Sequence, residues 1–362
     1  MVRRIYLLLF ATALAVCASI ATGPGRAQTS LARYRRDPHF PAAGVNFNFQ
    51  DVSWLMPQSS GQIYLLQRGA PWITIWSPDG RVQQKWTTPF QYPHSLRVQP
   101  RSDGDHIWVT DMINPSAPGP PRGHCVRELS GSGGDIGTIG SCAAGTEGSG
   151  LFPVQFDKVT DIAFDSKGQR WITDGDLGGL NNRVLQLDPN NNVLQVWSAP
   201  NNRPGSGPRE FNLPHAIDID SCDRVYVADT LNHRVQVIRT DGKVLQVLQC
   251  FGSDGVYGLR LTKLNKRQPL QLATTSSPTS NPTGGTVRLF AVAPSCTAAR
   301  PLPSNCATTA QWTIKLPPSP SAGLLHSIDM GADGALYVAT LGSTLPPQRW
   351  VQGSPATTKS MR

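Results

Sequence analysis

Residues 211–229, FNLPHAIDIDSCDRVYVAD, recur in altered form along the chain, and this recurrence constrains the fold more than any other feature. Pro214 biases the residue before it toward extended backbone. His215, Ile217 and Ile219 then alternate with Ala216 and Asp218, the period of a strand. Ser221 to Arg224 read as a polar turn, and Val225, Tyr226 and Val227 as a second β-rich run closed by Asp229. RVQVIRTDG from Arg234 adds a third strand and another turn. Related strings are FQDVSWL with IYLLQRG, PHSLRV with IWVTD, VTDIAF with RWITD, VYGLRL, and LLHSID with LYVAT. Six such units predict an all-β chain, a six-bladed β-propeller over residues 46–341. Helical apolar spacing is missing, and 34 glycines and 31 prolines favour many turns.

The residue at the His215 phase is, in order, near Asp51, then His94, Thr160, His215, Tyr257 and His326. In a six-membered ring, histidine thus occupies alternate positions, related by a rough three-fold axis. Three imidazoles converging on that axis would make a metal centre with one open position, which suits zinc. His94, His215 and His326 are the expected ligands.

The chain opens MVRR, continues with an apolar run over residues 5–21 and reaches small residues ending at Ala27. This describes a secretory leader over 1–27. The rest is expected to be exported, secreted or periplasmic, with an arm over 28–45 and a tail over 342–362. No second apolar run approaches membrane length, so no membrane partner is expected once the leader is gone. Loss of residues 1–27 removes Arg3, Arg4 and Arg26 and lowers the formal charge from +9 to +6. The remaining bases are scattered, which argues against a nucleic-acid partner. A monomer acting on a small molecule or peptide is expected.

Six cysteines remain after the leader: Cys125, Cys142, Cys222, Cys250, Cys296 and Cys306. An even number in an exported chain reads as disulfides. Favouring sequence neighbours predicts Cys125–Cys142, Cys222–Cys250 and Cys296–Cys306.

VYVADTLNHRVQVI and FNLPHAIDID resemble NHL repeats. PHSL at His94, PHAI at His215 and LHSI at His326 resemble the histidine motifs of one enzymatic branch, the peptidyl-α-hydroxyglycine α-amidating lyases. The resemblance implies a six-bladed propeller with a central zinc on three histidines, releasing a peptide amide and glyoxylate. It implies a catalytic arginine at Arg68, in the Arg68-Gly69 pair at a first-blade strand end, suited to a substrate carboxylate or an oxyanion. The family's catalytic tyrosine follows Asp-Gly in the third blade, where this chain has Asp176 after Asp174 and Gly175. Asp176 is expected as a base in its place. A structural calcium is also implied, on backbone carbonyls matching about Val52 and Leu96 and on an acidic residue that here is Ser327. The family's methionine two residues before the last histidine is Leu324. Two rival readings are a non-catalytic propeller binding a protein, peptide or glycan, and a calcium-dependent lactonase. The lactonase would need inward Glu, Asn and Asp residues, and no Glu occupies the repeated positions.

Overall fold

The computed structural model describes residues 34–113, 123–143, 145–263, 269–280, 283–316, 323–342 and 345–353. The expected leader, residues 28–33 of the arm and residues 354–362 of the tail lie outside the described residues. Six four-stranded antiparallel sheets form a six-bladed propeller. The inner strands are Val52–Pro57, Tyr92–Arg101, Val159–Phe164, Pro214–Ile219, Asp254–Thr262 and Leu325–Met330. The first five sheets run outward in chain order. The sixth takes its third strand, Gln348–Gln352, from the tail region and its outermost strand, Tyr34–Arg36, from the arm region. Tyr34 pairs with Gln352 and Arg36 with Trp350, so the two ends of the chain close the last blade together.

The cores lie between blades. Tyr226, Val237, Phe251 and Phe290 fill the seam of blades four and five, and Trp171, Trp197, Ile217 and Val225 that of blades three and four. Each fully buried side chain of this size contributes roughly 1.5–3 kcal/mol. A single sheet has no such face without its neighbour, so the blades stabilise one another in series. Among the described residues no helix is long and apolar enough to cross a membrane.

Every inner strand carries a register shift at the same place. The shifts fall between Val52 and Trp54, Pro93 and Ser95, Val159 and Asp161, Pro214 and Ala216, Val256 and Gly258, and Leu325 and Ser327. The extra residue of each bulge is therefore Ser53, His94, Thr160, His215, Tyr257 and His326. A bulge bends the strand and re-aims one side chain, which here explains the repeated phase. The first position is Ser53, two residues beyond the expected Asp51.

The disulfides are Cys125–Cys142, as expected, and Cys222–Cys296 and Cys250–Cys306. The expected pairs Cys222–Cys250 and Cys296–Cys306 do not form. Cys296 and Cys306 share the long connection between strands Gly284–Ala291 and Ala310–Lys315 of blade five. That connection folds back over blade four, so each cysteine meets a partner there rather than the other. Three disulfides fit an oxidising compartment.

Candidate metal centre and its cavity

His94, His215 and His326 are buried, and their rings pack edge to face with centroids 4.5, 4.6 and 4.7 Å apart. His94 Nε2 lies 3.1 Å from His215 Nε2 and 3.2 Å from His326 Nε2. The opposite ring nitrogens follow one rule. His94 Nδ1 sits 2.7 Å from the carbonyl oxygen of Thr160, His215 Nδ1 2.7 Å from that of Tyr257, and His326 Nδ1 2.8 Å from that of Ser53. Each partner is the bulge residue of the next blade. A carbonyl only accepts, so each Nδ1 carries the proton and each neutral ring turns an Nε2 lone pair inward. The intervening blades add their own braces: Ser53 Oγ donates to the Pro93 carbonyl at 3.2 Å, and Thr160 Oγ1 to the Pro214 carbonyl at 2.7 Å.

Three converging lone pairs repel unless a cation lies between them. Protonation is a poor remedy. Burial pushes His94 and His326 well below the usual imidazole range, and neighbouring imidazoles and Arg68 add to the shift. His215 is also lowered, chiefly by burial, against an opposing effect of Asp176. With metal–nitrogen bonds of about 2.0–2.1 Å, tetrahedral ligands lie on the order of 3.3 Å apart, near the separations here. The donor set therefore fits zinc.

It fits calcium poorly. Ser327 offers a buried hydroxyl with no hydrogen-bond partner in place of a carboxylate. The nearby carboxylates are already engaged. Arg97 forks onto Asp161 at 3.0 and 2.5 Å, and Arg260 bridges Asp218 at 3.3 Å and Asp329 at 3.2 Å.

His94 packs against His215 and His326, and these two help to line a cavity of about 390 Å³. Its walls come from repeated places in the blades. Tyr92, Lys158 and Leu324 stand two residues before their bulges, and Arg68, Ile113, Asp176, Leu177, Thr279 and Leu341 just beyond second strands. Arg68 Nη1 donates to Tyr92 Oη at 2.9 Å, and the guanidinium carbon lies 4.0 Å from that ring's centroid. Arg68 Nε is buried without a partner. Asp176 Oδ2 reaches within 3.7 Å of His94 Nε2. Gly175 permits that turn: its φ is +155°, and a Cβ there would sit 2.3 Å from the Asn181 carbonyl oxygen. Behind it, buried Asp174 accepts from Asp157 N, Asn181 Nδ2 and Arg183 Nε at 2.8–2.9 Å, locking the strand end.

Four of the five expected site residues, Arg68, Asp176, His215 and His326, thus line one cavity and His94 touches three of them, while Tyr92, Lys158 and Tyr257 are lining residues the sequence did not single out. Tyr257 packs edge-on against His215 at 5.2 Å, and burial with Asp176 nearby pushes its phenol up to about 12. Its signal was present, since it occupies a bulge position. Tyr92 and Lys158 share a spacing with Leu324 that becomes informative only once the bulges are known.

The NHL repeat profile matches residues 211–238. NHL repeat-containing protein 3 of Mus musculus is 32% identical over 233 residues, covering 63% of this chain and 64% of that protein. The chain thus aligns with just under two thirds of that relative's length. Peptidylglycine alpha-amidating monooxygenase of Rattus norvegicus is 28% identical over 159 residues, covering 42% of this chain and 14% of that protein. A solved streptogramin B lyase superposes with a TM-score of 0.51 at 13% identity, covering 90% of this chain and 99% of that one. At that identity the likeness concerns the fold alone. The chain is a six-bladed propeller that carries an NHL repeat over residues 211–238 and has distant similarity to the amidating enzyme.

Proposed function

We propose that this propeller is an exported zinc-dependent lyase-like protein that cleaves the C–N bond of an α-hydroxyglycine amide, giving an amide and glyoxylate. The convergence of three oriented imidazoles beside Arg68, whose buried Nε has no partner, carries this reading. The similarity to the rat amidating enzyme supports it. Bound by His94, His215 and His326, zinc would supply Lewis acidity and ease loss of a proton from a hydroxyl brought beside it.

The chain's own groups have distinct tasks. The Arg68 guanidinium, braced by Tyr92, binds the glycine-derived carboxylate and so orients the carbinol carbon. Asp176, beside His94, accepts the hydroxyl proton. The O–H electrons form the new carbonyl, the C–N bond breaks, and the amide nitrogen takes a proton. The Tyr257 phenol, kept neutral by burial, is a donor on the cavity wall. An aspartate thus stands where the resembling family uses tyrosine.

A second reading, a non-catalytic propeller that binds a protein, peptide or glycan, is favoured by that substitution. Two measurements separate them. Metal analysis of the purified protein should find about one zinc per chain, and an α-hydroxyglycine peptide should release glyoxylate. A zinc-free protein without release supports the binding module.

A further inference from the structure

Among the described residues, no carboxylate pairs with either of the two cations that line the central cavity, Arg68 and Lys158. Arg97, Arg183, Arg224 and Arg234, by contrast, are buried and each holds an aspartate at 2.5–2.9 Å. The acidic residues around Lys158 are engaged elsewhere. Asp157 accepts from Leu180 N at 2.8 Å and faces His124 Nε2 at 3.8 Å. Asp176 reaches toward His94 Nε2 at 3.7 Å and accepts from Leu177 N at 2.8 Å.

The backbone fixes where this lysine stands. Its φ is +71°, its N–H donates to His124 Nδ1 at 3.0 Å, and its carbonyl accepts from Gly175 N at 3.0 Å. The same left-handed kink occurs at Asp51 and Leu213, also two residues before a bulge, so the kink belongs to the fold. The ammonium belongs to blade three alone, since the other blades carry Asp51, Tyr92, Leu213, Gly255 and Leu324 at that position. The stem passes close under the next turn: a Cβ on Gly179 would sit 2.9 Å from Lys158 Cγ. Arg68 follows the second strand of blade one and Lys158 precedes the inner strand of blade three, so blade two separates them. The charge of Arg68 depresses all three histidines, whereas that of Lys158 acts on His124. The lysine therefore serves a part of the ligand that lies away from the imidazoles.

We propose that Lys158 is a specificity residue that binds a second carboxylate, carried on the acyl side of the substrate. The preferred substrate is then a dianion, with an acidic side chain or a dicarboxylic acyl group amide-linked to α-hydroxyglycine. The inference rests on the reading above, in which Arg68 holds the glycine-derived carboxylate. A substrate with one carboxylate satisfies Arg68 and leaves a half-buried ammonium without a partner, which is unfavourable. A second carboxylate supplies that partner, and a hydrogen bond between charged groups is worth about tenfold or more in affinity.

The test is calorimetric titration of the purified protein with matched ligands that lack the reactive hydroxyl: N-succinylglycine against N-butyrylglycine, and N-acetyl-Glu-Gly against N-acetyl-Gln-Gly. At least one dianion is expected to bind about tenfold or more tightly than its monoanionic match, and the pair that shows it tells acyl group from side chain. Lys158→Gly, which suits the left-handed backbone, should abolish that ratio. Lys158→Glu should invert the preference, so that N-(4-aminobutanoyl)glycine binds more tightly than N-succinylglycine. Equal affinities within both pairs in the wild type, no binding of any ligand, or a ratio that survives both variants overturns the assignment. A dianion preference without glyoxylate release from the hydroxylated counterparts removes the reaction and leaves Lys158 its role; release without a preference does the reverse.

Discussion

His326 Nδ1 donates to the carbonyl oxygen of Ser53 at 2.8 Å, across 273 positions of the chain. The last blade's imidazole is thus aimed by the first blade, and the site exists only when the ring is closed. Closure depends in turn on Tyr34–Arg36 pairing with Gln348–Gln352.

The three histidines are therefore expected to act as a unit. His215→Ala should reduce bound zinc from about one per chain to below about a tenth, read by metal analysis. The variant should stay folded, because only one side chain at the axis is lost. The unfolding temperature of the wild type should fall on chelation and that of the variant should not. Equal zinc content in the two proteins would remove His215 from the site.

Arg68→Ala is expected to keep its zinc and lose about a hundredfold or more in kcat/KM for an α-hydroxyglycine peptide. Arg68→Lys should restore little, since an ammonium cannot fork onto a carboxylate. Turnover equal to the wild type in Arg68→Ala would take this arginine out of the mechanism. Asp176→Asn, measured alongside, should also keep zinc and lose turnover, because the amide cannot accept the proton.

The disulfides bear on stability rather than on chemistry. Cys222–Cys296 and Cys250–Cys306 join residues 74 and 56 positions apart and fasten the blade-five connection to blade four. Replacing one pair by serines should cost about 2–5 kcal/mol, read as a lowered denaturation midpoint with zinc content unchanged. Peptide mapping without reduction should recover these two pairs and Cys125–Cys142.

The strand repeat was legible because alternation and turns are local, and because a bulge at constant phase returns the same position in every blade. Histidine made that phase visible in three blades. In the first blade the position is Ser53, chemically silent, and the nearby Asp51 was the more conspicuous residue. Two of the three expected disulfide pairs failed for the opposite reason: Cys296 and Cys306 are close in sequence, yet their connection crosses to another blade. The cavity collar was hidden likewise, since Tyr92 and Lys158 acquire meaning only from the blades that face them.

Among the described residues, Asp161, Asp218 and Asp329 on the inner strands form ion pairs with only Arg97 and Arg260. One carboxylate exceeds the available guanidiniums, and burial makes that excess charge costly. Burial accordingly pushes Asp218 up to about 6 and Asp329 up to about 7, against the opposing pull of Arg97. Unfolded, both carboxyls titrate near 3.9. Below about pH 4 the two states bind these protons equally. Between about pH 4 and 7 the unfolded chain has released them and the folded chain has not, so stability falls as pH rises and levels off above the folded values. Asp329→Asn holds a neutral group there at every pH. It should therefore gain stability over the wild type at pH 8 and differ little at pH 4, both read from urea midpoints. Equal gains at the two pH values would mean that the amide improves packing and that Asp329 does not hold a proton.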